Sequence, residues 1–197
     1  MISERRKEVI SMIDDAKIIE LFFKRSESAI SELDIKYGKL CRRLSHNIVN
    51  NPEDAEECVN DAYLGAWNTI PPANPSPLQA FICKIVRNVS LKCYYRNAAQ
   101  KRSGEYTVAM QELEAYLPAS DSVHEEVETR ELTAVIERFL DSLENENCAI
   151  FMRRYYFSDT YAEIASSVGL SEKSVSMRLV RIRKQLKKYL CERGIYV

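Results

Sequence analysis

The chain has 197 residues and a formal net charge of −1, and 46 % of its residues are hydrophobic. This hydrophobic content allows a buried core and excludes wholesale disorder. The chain has only 5 glycines, which favours helices over a turn-rich β protein. No run approaches the ~20 apolar residues of a membrane span, and no apolar segment of a signal peptide follows the charged start MISERRKEVI. We therefore expect a cytoplasmic protein with no membrane partner.

The near-neutral total hides an uneven distribution of charge. Residues 51–83 contain five acidic residues and no Lys or Arg, whereas residues 84–102 contain six basic residues and no acidic one. Residues 105–146 contain twelve acidic residues and two Arg, and residues 171–193 contain eight basic residues and two Glu. Two separate basic blocks predict anionic partners at two places.

Apolar residues spaced three and four apart predict amphipathic helices in the first half of the chain. Asp14 and Asp15 precede a short helix, which they are expected to cap, and a longer helix covers residues 30–48. The Asn-Pro pair at 51–52 ends that helix and starts a third, because Pro is tolerated in a first helical turn. The Pro-rich segment PPANPSP at 71–77 predicts an exposed loop, and a fourth helix follows it into the first basic block.

The second half of the chain starts with an acidic, poorly periodic segment, and helical periodicity returns from residue 132. No stretch alternates apolar and polar residues in the way of a strand, so the predicted fold class is all-α, in two small helical domains. We expect a helical domain over residues 1–102, an acidic linker over residues 103–127 and a second helical domain over residues 128–197.

The six cysteines show no C-x-x-C spacing and the chain has only 2 histidines. Clustered thiolates or imidazoles are needed to hold zinc. We therefore expect no metal and no cofactor, and we expect the thiols to be reduced and mostly buried.

The C-terminal part of the chain has the spacing of a helix-turn-helix. Thr160 and Glu163 form a capping-box pattern at the start of a helix, and Gly169 lies where a tight turn requires a positive φ. Ser171 then caps a second helix. The order of a small Ala165, a Gly four residues later and a Val six residues after that is typical of DNA-binding helix-turn-helix units.

The second helix of this unit has one apolar face and one basic face. The N-terminal residues of such a helix reach base edges in the major groove, and further basic residues suit phosphates. The predicted DNA-binding residues are Ser171, Glu172, Lys173, Ser174, Ser176, Met177, Arg178, Arg181 and Arg183. The alternative is a plain helical hairpin with a solvated basic face, but it explains neither the Ala/Gly/Val spacing nor the one-sided charge.

Three stretches resemble regions of the sigma-70 family of transcription initiation factors. SEKSVSMRLVRIRKQL, at 171–186, resembles region 4, with its Ser-capped helix and its pattern T/S-V-x-x-R-L-x-R-A-R. PEDAEECVNDAYLGAW, at 52–67, is similar to region 2.2, and PLQAFICKIVRNVSLKCYYR, at 77–96, is similar to regions 2.3 and 2.4. Their order, the acidic segment between them and the absence of a large middle domain resemble the small extracytoplasmic-function group.

This resemblance implies a sigma factor that binds core RNA polymerase, recognises the −35 and −10 promoter elements and helps to melt the promoter. The residues implied to dock on the clamp helices of the largest polymerase subunit are Asp54, Glu56, Glu57, Asn60 and Asp61. The residues implied to read and open the −10 element are Asn74, Lys84, Arg87, Asn88, Lys92, Tyr94, Tyr95 and Arg96. The implied partners are core RNA polymerase, at its clamp helices and its flap, double-stranded and melted promoter DNA, and an anti-sigma factor.

Some residues depart from the family pattern or have an ordinary explanation. Asn60 stands in place of a Gln, Lys92 in place of an Asp, and Ser176 where a basic residue is common. Acidic residues in the first turn of a helix also favour its dipole without any partner. These departures affect the details of −10 recognition and melting rather than the fold.

Two other classes of function are alternatives. A stand-alone helix-turn-helix regulator with a sensing or dimerising N-terminal domain would not need the basic, Tyr-bearing block at 84–102. An enzyme with a DNA-binding tail is disfavoured, because the sequence has no Gly-rich phosphate loop, no metal-binding cluster and no His in a plausible triad. We therefore predict that the chain is not an enzyme.

Overall fold

The computed structural model describes residues 13–97, 104–118 and 125–195, and in these residues it contains helices and no strand. The described helices are α1 (Asp15–Phe23), α2 (Ser28–Val49), α3 (Pro52–Thr69), α4 (Leu78–Asn97), α5 (Glu105–Glu114), α6 (Glu125–Asp141), α7 (Asn145–Tyr155), α8 (Tyr161–Val168) and α9 (Glu172–Cys191). This confirms the all-α fold class. The chain divides into an N-terminal unit that ends at Arg96 and a C-terminal unit that begins at Asn97.

Helices α2 and α3 pack against each other and provide most of the N-terminal core. The turn between them follows from two Asn residues. Asn50 ends α2 in the left-handed conformation with a φ of 54°, which Asn tolerates better than most residues. The Asn51 side chain then accepts a hydrogen bond of 2.9 Å from the backbone N–H of Asp54 and caps α3. The predicted helix boundary at 51–52 is confirmed.

The Asp pair before α1 does not have the predicted capping role. The Asp14 side chain makes no capping hydrogen bond. Asp15 instead accepts hydrogen bonds from Lys36 Nζ and Tyr37 Oη on α2, each at 2.6 Å. Burial raises the pKa of Asp15, but these two hydrogen bonds outweigh burial and lower the pKa from its ordinary value. The prediction was wrong because the Asp15 carboxylate, which was expected to cap α1, instead accepts hydrogen bonds from two residues of α2.

The Pro-rich segment at 71–77 is neither helix nor strand, as predicted. It joins α3 to α4 and leaves Asn74 exposed. Because Pro fixes its own φ and donates no backbone hydrogen bond, this connection cannot be absorbed into either helix.

Helix α9 is the central helix of the C-terminal unit, and it packs on α6, α7 and α8. Its predicted apolar stripe is buried, and the stripe consists of Val175, Leu179, Ile182 and Leu186, continued by Leu190. Residues of α6 and α7 complete the core, with Phe139, Ile150 and Phe151 buried. The second helical domain therefore has the core that its periodicity predicted.

The local structure of the helix-turn-helix is confirmed at each predicted position. The Thr160 hydroxyl accepts a hydrogen bond from the Glu163 backbone N–H at 3.2 Å, and the Thr160 N–H donates to the Glu163 carboxylate at 2.8 Å. Gly169 ends α8 with a φ of 69°, a conformation that Gly adopts without strain because it has no Cβ atom. The Ser171 hydroxyl accepts a hydrogen bond of 3.2 Å from Ser174 N–H and starts α9.

The predicted linker at 103–127 differs from the structure, because α5 lies inside it. Helix α5 packs against α7, and its Tyr106 and Ala109 are buried. Together with Met110 and Leu113, these residues repeat at helical spacing over only two turns. Sequence reasoning missed this short apolar stripe because acidic residues surround it.

All six cysteines are free, and Cys41, Cys58, Cys83 and Cys93 are buried, as predicted. Burial raises the pKa of Cys41 and of Cys58 to about 12 and that of Cys83 to about 11. The thiolate is the reactive form of cysteine, so these buried thiols are unreactive members of the N-terminal core. No described helix has the length and apolar character needed to cross a membrane.

Candidate nucleic-acid interface

The candidate interface of the C-terminal unit is the face of α9 opposite its buried stripe. Lys173, Met177 and Arg181 are exposed on this face, with Ser174 and Arg178 half-buried beside them. These five residues line one shallow hollow with Leu170 from the preceding turn. The structure therefore brings together most of the residues that the helix-turn-helix pattern predicted, at the N-terminal half of the helix.

Two of the predicted serines are engaged in capping the helix. The hydroxyls of Ser171 and Ser174 lie 2.8 Å apart and are hydrogen-bonded to each other, while Ser171 also accepts from the backbone. Glu172 is exposed in the first turn, and Ser176 is half-buried at the edge of the face. These hydroxyls fix the residue at which α9 begins. The side chains that extend furthest from the face are therefore the longer ones, Lys173, Met177 and Arg181.

Arg178 has an ion-pair partner within the unit. Its Nη1 donates a hydrogen bond to the Glu146 carboxylate in the first turn of α7, and both side chains remain partly exposed. A contact between Arg178 and a DNA base or phosphate would have to replace this carboxylate. Exposed ion pairs contribute little net stability, so the exchange costs little.

Arg183 does not have the predicted role, because it lies on the opposite side of α9. It is 8 % exposed, and its Nη1 donates to Tyr155 Oη at 2.7 Å and to Glu112 Oε2 at 3.1 Å. Arg183 is two residues, or about 200° around the helix axis, from Arg181. The prediction of a DNA contact by Arg183 was therefore wrong, and the guanidinium is part of the interior.

Arg183 belongs to a partly buried ionic network that sequence reasoning missed, which we call the Glu112 cluster: Glu105 and Glu112 of α5, Arg154 of α7, Tyr161 of α8 and Arg183 of α9. Arg154 is 1 % exposed. Its guanidinium donates to Glu112 Oε1 at 2.7 Å, to Glu105 Oε2 at 3.0 Å and to the backbone carbonyl of Asp159 at 2.9 Å. Tyr161 Oη donates to Glu112 Oε2 at 2.9 Å.

Hydrogen bonds raise the pKa of both arginines of the Glu112 cluster. Burial lowers the pKa of Arg183, but hydrogen bonds to Tyr155 and Tyr161 outweigh burial and raise the pKa above its ordinary value. Burial lowers the pKa of Arg154, but hydrogen bonds to Glu112 and Glu105 outweigh burial and raise the pKa above its ordinary value. Burial raises the pKa of Tyr155 to about 12, so its hydroxyl stays protonated beside Arg183. The spacing of Glu105 and Glu112, seven residues apart on one helix face, was the feature from which this network could have been suspected.

The candidate interface of the N-terminal unit is the basic face of α4. Lys84, Asn88, Lys92 and Tyr95 are exposed and follow each other at intervals of four, four and three residues, which places them along one face. Arg96 is exposed beside them, whereas Arg87 and Tyr94 are half-buried. The Tyr94 and Tyr95 rings contact each other edge to face, with centroids 5.4 Å apart.

Asn74 lies apart from the tyrosines, near the other end of α4. It lines a hollow between the Pro-rich loop and α1, together with Asp14, Asp15 and Phe23. From the start of α4 to Tyr95 the helix rises by about 25 Å. The structure therefore spreads the predicted −10 residues along a helix instead of gathering them in one pocket, and it adds carboxylates near Asn74 that would repel phosphates.

The predicted docking residues lie on α3. Glu56, Glu57, Asn60 and Asp61 are exposed, and Asp54 is half-buried in the first turn. Leu64 is exposed one turn after Asn60 and Asp61 and adds an apolar group to the same region. Glu56 lies 3.8 Å from Arg42 Nη1, a long and exposed ion pair that contributes little. This acidic face contrasts in charge with the basic face of α4.

Two family models match the chain, one in each half of the sequence. Residues 35–100 match Sigma-70 region 2, and residues 133–186 match Sigma-70, region 4. The chain belongs to the sigma-70 family, and it is a sigma factor of the extracytoplasmic-function (ECF) type. Members of this family recognise DNA and are not enzymes, which confirms the prediction on catalysis. A stand-alone regulator is not favoured, because the N-terminal unit matches region 2.

Two curated proteins and one solved structure are similar to the chain. The ECF RNA polymerase sigma factor SigE of Mycolicibacterium smegmatis is 24 % identical over 162 residues, which cover 82 % of this chain and 61 % of SigE. The ferric citrate uptake sigma factor FecI of Escherichia coli is 25 % identical over 142 residues, which cover 72 % of this chain and 79 % of FecI. The chain thus spans less than two thirds of SigE. A chain of the structure of CnrH in complex with the cytosolic domain of CnrY is 18 % identical, and the match covers 90 % of this chain and 97 % of that chain with a TM-score of 0.43.

Proposed function

We propose that the chain acts in the cytoplasm as a sigma factor that binds core RNA polymerase, reads the −35 element with α9, reads the −10 element with α4 and helps to melt the promoter. The observation that carries this proposal is the presence, in one chain, of exposed basic faces on the region 2 helix α4 and on the region 4 helix α9. A single DNA-binding unit would need only one of them. The N-terminal unit is the −10 and polymerase-docking domain, and the C-terminal unit is the −35 domain.

The −35 function of α9 is supported by the position of its exposed residues. Lys173, Met177 and Arg178 lie in the first two turns, which is the part of a recognition helix that reaches base edges. Arg181 and Lys184 follow in the next two turns at exposed positions, and their charges suit backbone phosphates. Phosphate contacts provide affinity without sequence information, so promoter choice depends on the first two turns.

The −10 function of α4 is supported by an aromatic ring exposed within a basic face. Tyr95 is 64 % exposed, although the burial of an aromatic ring in the core would be favourable. Lys92 lies three residues before it and Arg96 directly follows it, so phosphates and an unpaired base would find partners close together. Duplex DNA offers no exposed base face, and we therefore assign Tyr95 to the melted strand.

Replacing Tyr95 by Ala is expected to weaken the promoter complex after melting, because base stacking on an aromatic ring contributes about 1–3 kcal/mol. Promoter melting by the reconstituted polymerase, followed with a fluorescent base analogue in the −10 element, measures this effect. Tyr95→Phe keeps the ring and should melt the promoter as the wild type does. Equal melting by Tyr95→Ala and the wild type would exclude stacking on this residue.

The polymerase-docking function is assigned to the acidic face of α3 with Leu64. Carboxylates suit a basic protein surface and repel DNA, and Leu64 offers an apolar contact at the end of the acidic row. The proposal also includes a contact of the acidic segment that follows the N-terminal unit with the polymerase, and an anti-sigma factor as a further partner. The two carboxylates of α5 that belong to the Glu112 cluster are already engaged within the C-terminal unit.

Replacing both Glu56 and Glu57 by Lys is expected to weaken the binding of core RNA polymerase at least tenfold, because two favourable charge contacts become repulsive. The affinity is measured by titrating labelled protein with core enzyme. The matched control is Glu20→Lys with Glu27→Lys, which changes the net charge equally at exposed positions on the same unit. If both double variants bind the core enzyme like the wild type, the docking function of α3 is wrong.

A further inference from the structure

The basic face of α9 has an apolar side chain at its centre. Met177 is 52 % exposed. Among the described residues of the C-terminal unit, Val108 of α5, at 46 %, is the other exposed large hydrophobic side chain. Unlike Val108, Met177 lies among cationic residues that the proposed function assigns to DNA.

The surroundings of Met177 form a small site with an apolar base and a cationic rim. Lys173, Met177 and Arg181 are spaced by four residues and follow one line along α9. Leu170, from the turn before the helix, lines the same hollow, and Arg178 lies at its side. A ligand in this hollow would meet two apolar side chains, with positive charge on both sides along the helix.

Duplex DNA has one group that fits this arrangement. Of the base edges in the major groove, only thymine presents an apolar group, its 5-methyl, whereas the others present hydrogen-bond donors and acceptors. The unbranched Met side chain is flexible and polarisable and adapts its shape to such a contact. Arg181 can meanwhile bind a phosphate of the same strand, since phosphates attract Lys and Arg without regard to sequence.

We propose that Met177, with Leu170, recognises the 5-methyl group of a thymine in the −35 element. This inference rests on the proposed function of α9 and adds the chemical group that the helix selects. Met177 thereby becomes a specificity-determining residue, and the phosphate contacts of Arg181 and Lys184 supply affinity. Sequence selectivity at that base pair comes from an apolar contact, not from a hydrogen bond.

The test replaces single thymines by deoxyuridine, which removes the methyl group and leaves every hydrogen-bonding group in place. The −35 sequence is first obtained by selection from random duplexes with full-length protein and core RNA polymerase. Each thymine of the selected element, on either strand, is then replaced in turn and the affinity is measured. One buried methyl group corresponds to about a fourfold change in affinity, so one replacement should weaken binding about fourfold.

Two variants separate this contact from a general loss of binding. Met177→Ala should bind the thymine and deoxyuridine duplexes equally, whereas Val108→Ala should keep the wild-type discrimination. Wild-type binding that is indifferent to deoxyuridine at every position would overturn the inference, as would a selected element without thymine or full discrimination by Met177→Ala. Failure to select any sequence would instead overturn the −35 function on which the inference rests.

Discussion

Replacing Glu112 by Gln is expected to lower the free energy of unfolding of the C-terminal unit by about 3–5 kcal/mol, because it removes the charge between two buried guanidinium groups. Arg154 is almost completely buried and hydrogen-bonds to Glu112 at 2.7 and 3.3 Å. Arg183 donates to the same carboxylate. The substituted amide would keep the shape of the side chain but leave Arg154 with Glu105 as its remaining anionic partner in the Glu112 cluster.

The measurement is chemical denaturation of the full chain, followed by two probes. Circular dichroism reports on the helices of both units, whereas the fluorescence of Trp67, the only tryptophan of the chain, reports on the N-terminal unit. Glu112→Gln should shift part of the circular-dichroism transition to lower denaturant and leave the fluorescence transition in place. Glu114→Gln, an equal charge change at an exposed position of the same helix, should change stability by less than about 0.5 kcal/mol. Identical transitions for both variants would show that the cluster does not stabilise this unit.

Replacing Arg181 and Arg183 separately by Ala is expected to change different properties, DNA binding in the first case and stability in the second, although the two residues are only two positions apart. Arg181 is exposed, so Arg181→Ala should weaken promoter binding and leave stability unchanged. The slope of log affinity against log salt concentration should fall by about one, because one counterion fewer is released on binding. Arg183→Ala should instead lower the free energy of unfolding by about 1–3 kcal/mol, because Tyr155 and Glu112 lose a buried partner.

The matched pair is measured by titrating promoter duplex at several salt concentrations and by denaturation of the same preparations. Each variant serves as the control of the other, since both remove one guanidinium from α9. A reduced salt dependence for Arg183→Ala, with wild-type stability, would mean that Arg183 faces DNA as the sequence pattern first predicted and that its buried position is wrong.

Local patterns predicted the helix-turn-helix because each of its features is decided within four residues. The capping box at Thr160, the positive φ at Gly169 and the cap at Ser171 depend on neighbours in sequence. The buried stripe of α9 follows from helical periodicity in the same way. These features are confirmed because, in the part of the chain that the structure describes, no distant residue competes for the groups involved.

The features that sequence reasoning missed depend on contacts between distant residues. Asp15 accepts hydrogen bonds from Lys36 and Tyr37, and Glu112 accepts one from Arg183, which is 71 residues away in the sequence. Charge was also a poor guide to exposure: Arg183 lies four residues after Leu179 and three before Leu186, so periodicity alone would have placed it on the buried side. The composition of the exposed faces was predictable, whereas their individual contacts depend on partners outside the chain.

Run-off transcription with core RNA polymerase, in the presence and absence of the protein, tests the central claim most directly. The template is a pool of genomic fragments from the source organism. The proposed function predicts discrete transcripts that require the protein and that share a −35 and a −10 element upstream of their start points. Specific binding of the protein to duplex DNA without polymerase, and no protein-dependent transcript, would contradict the proposed function and leave α9 as the DNA-binding helix of a different kind of regulator.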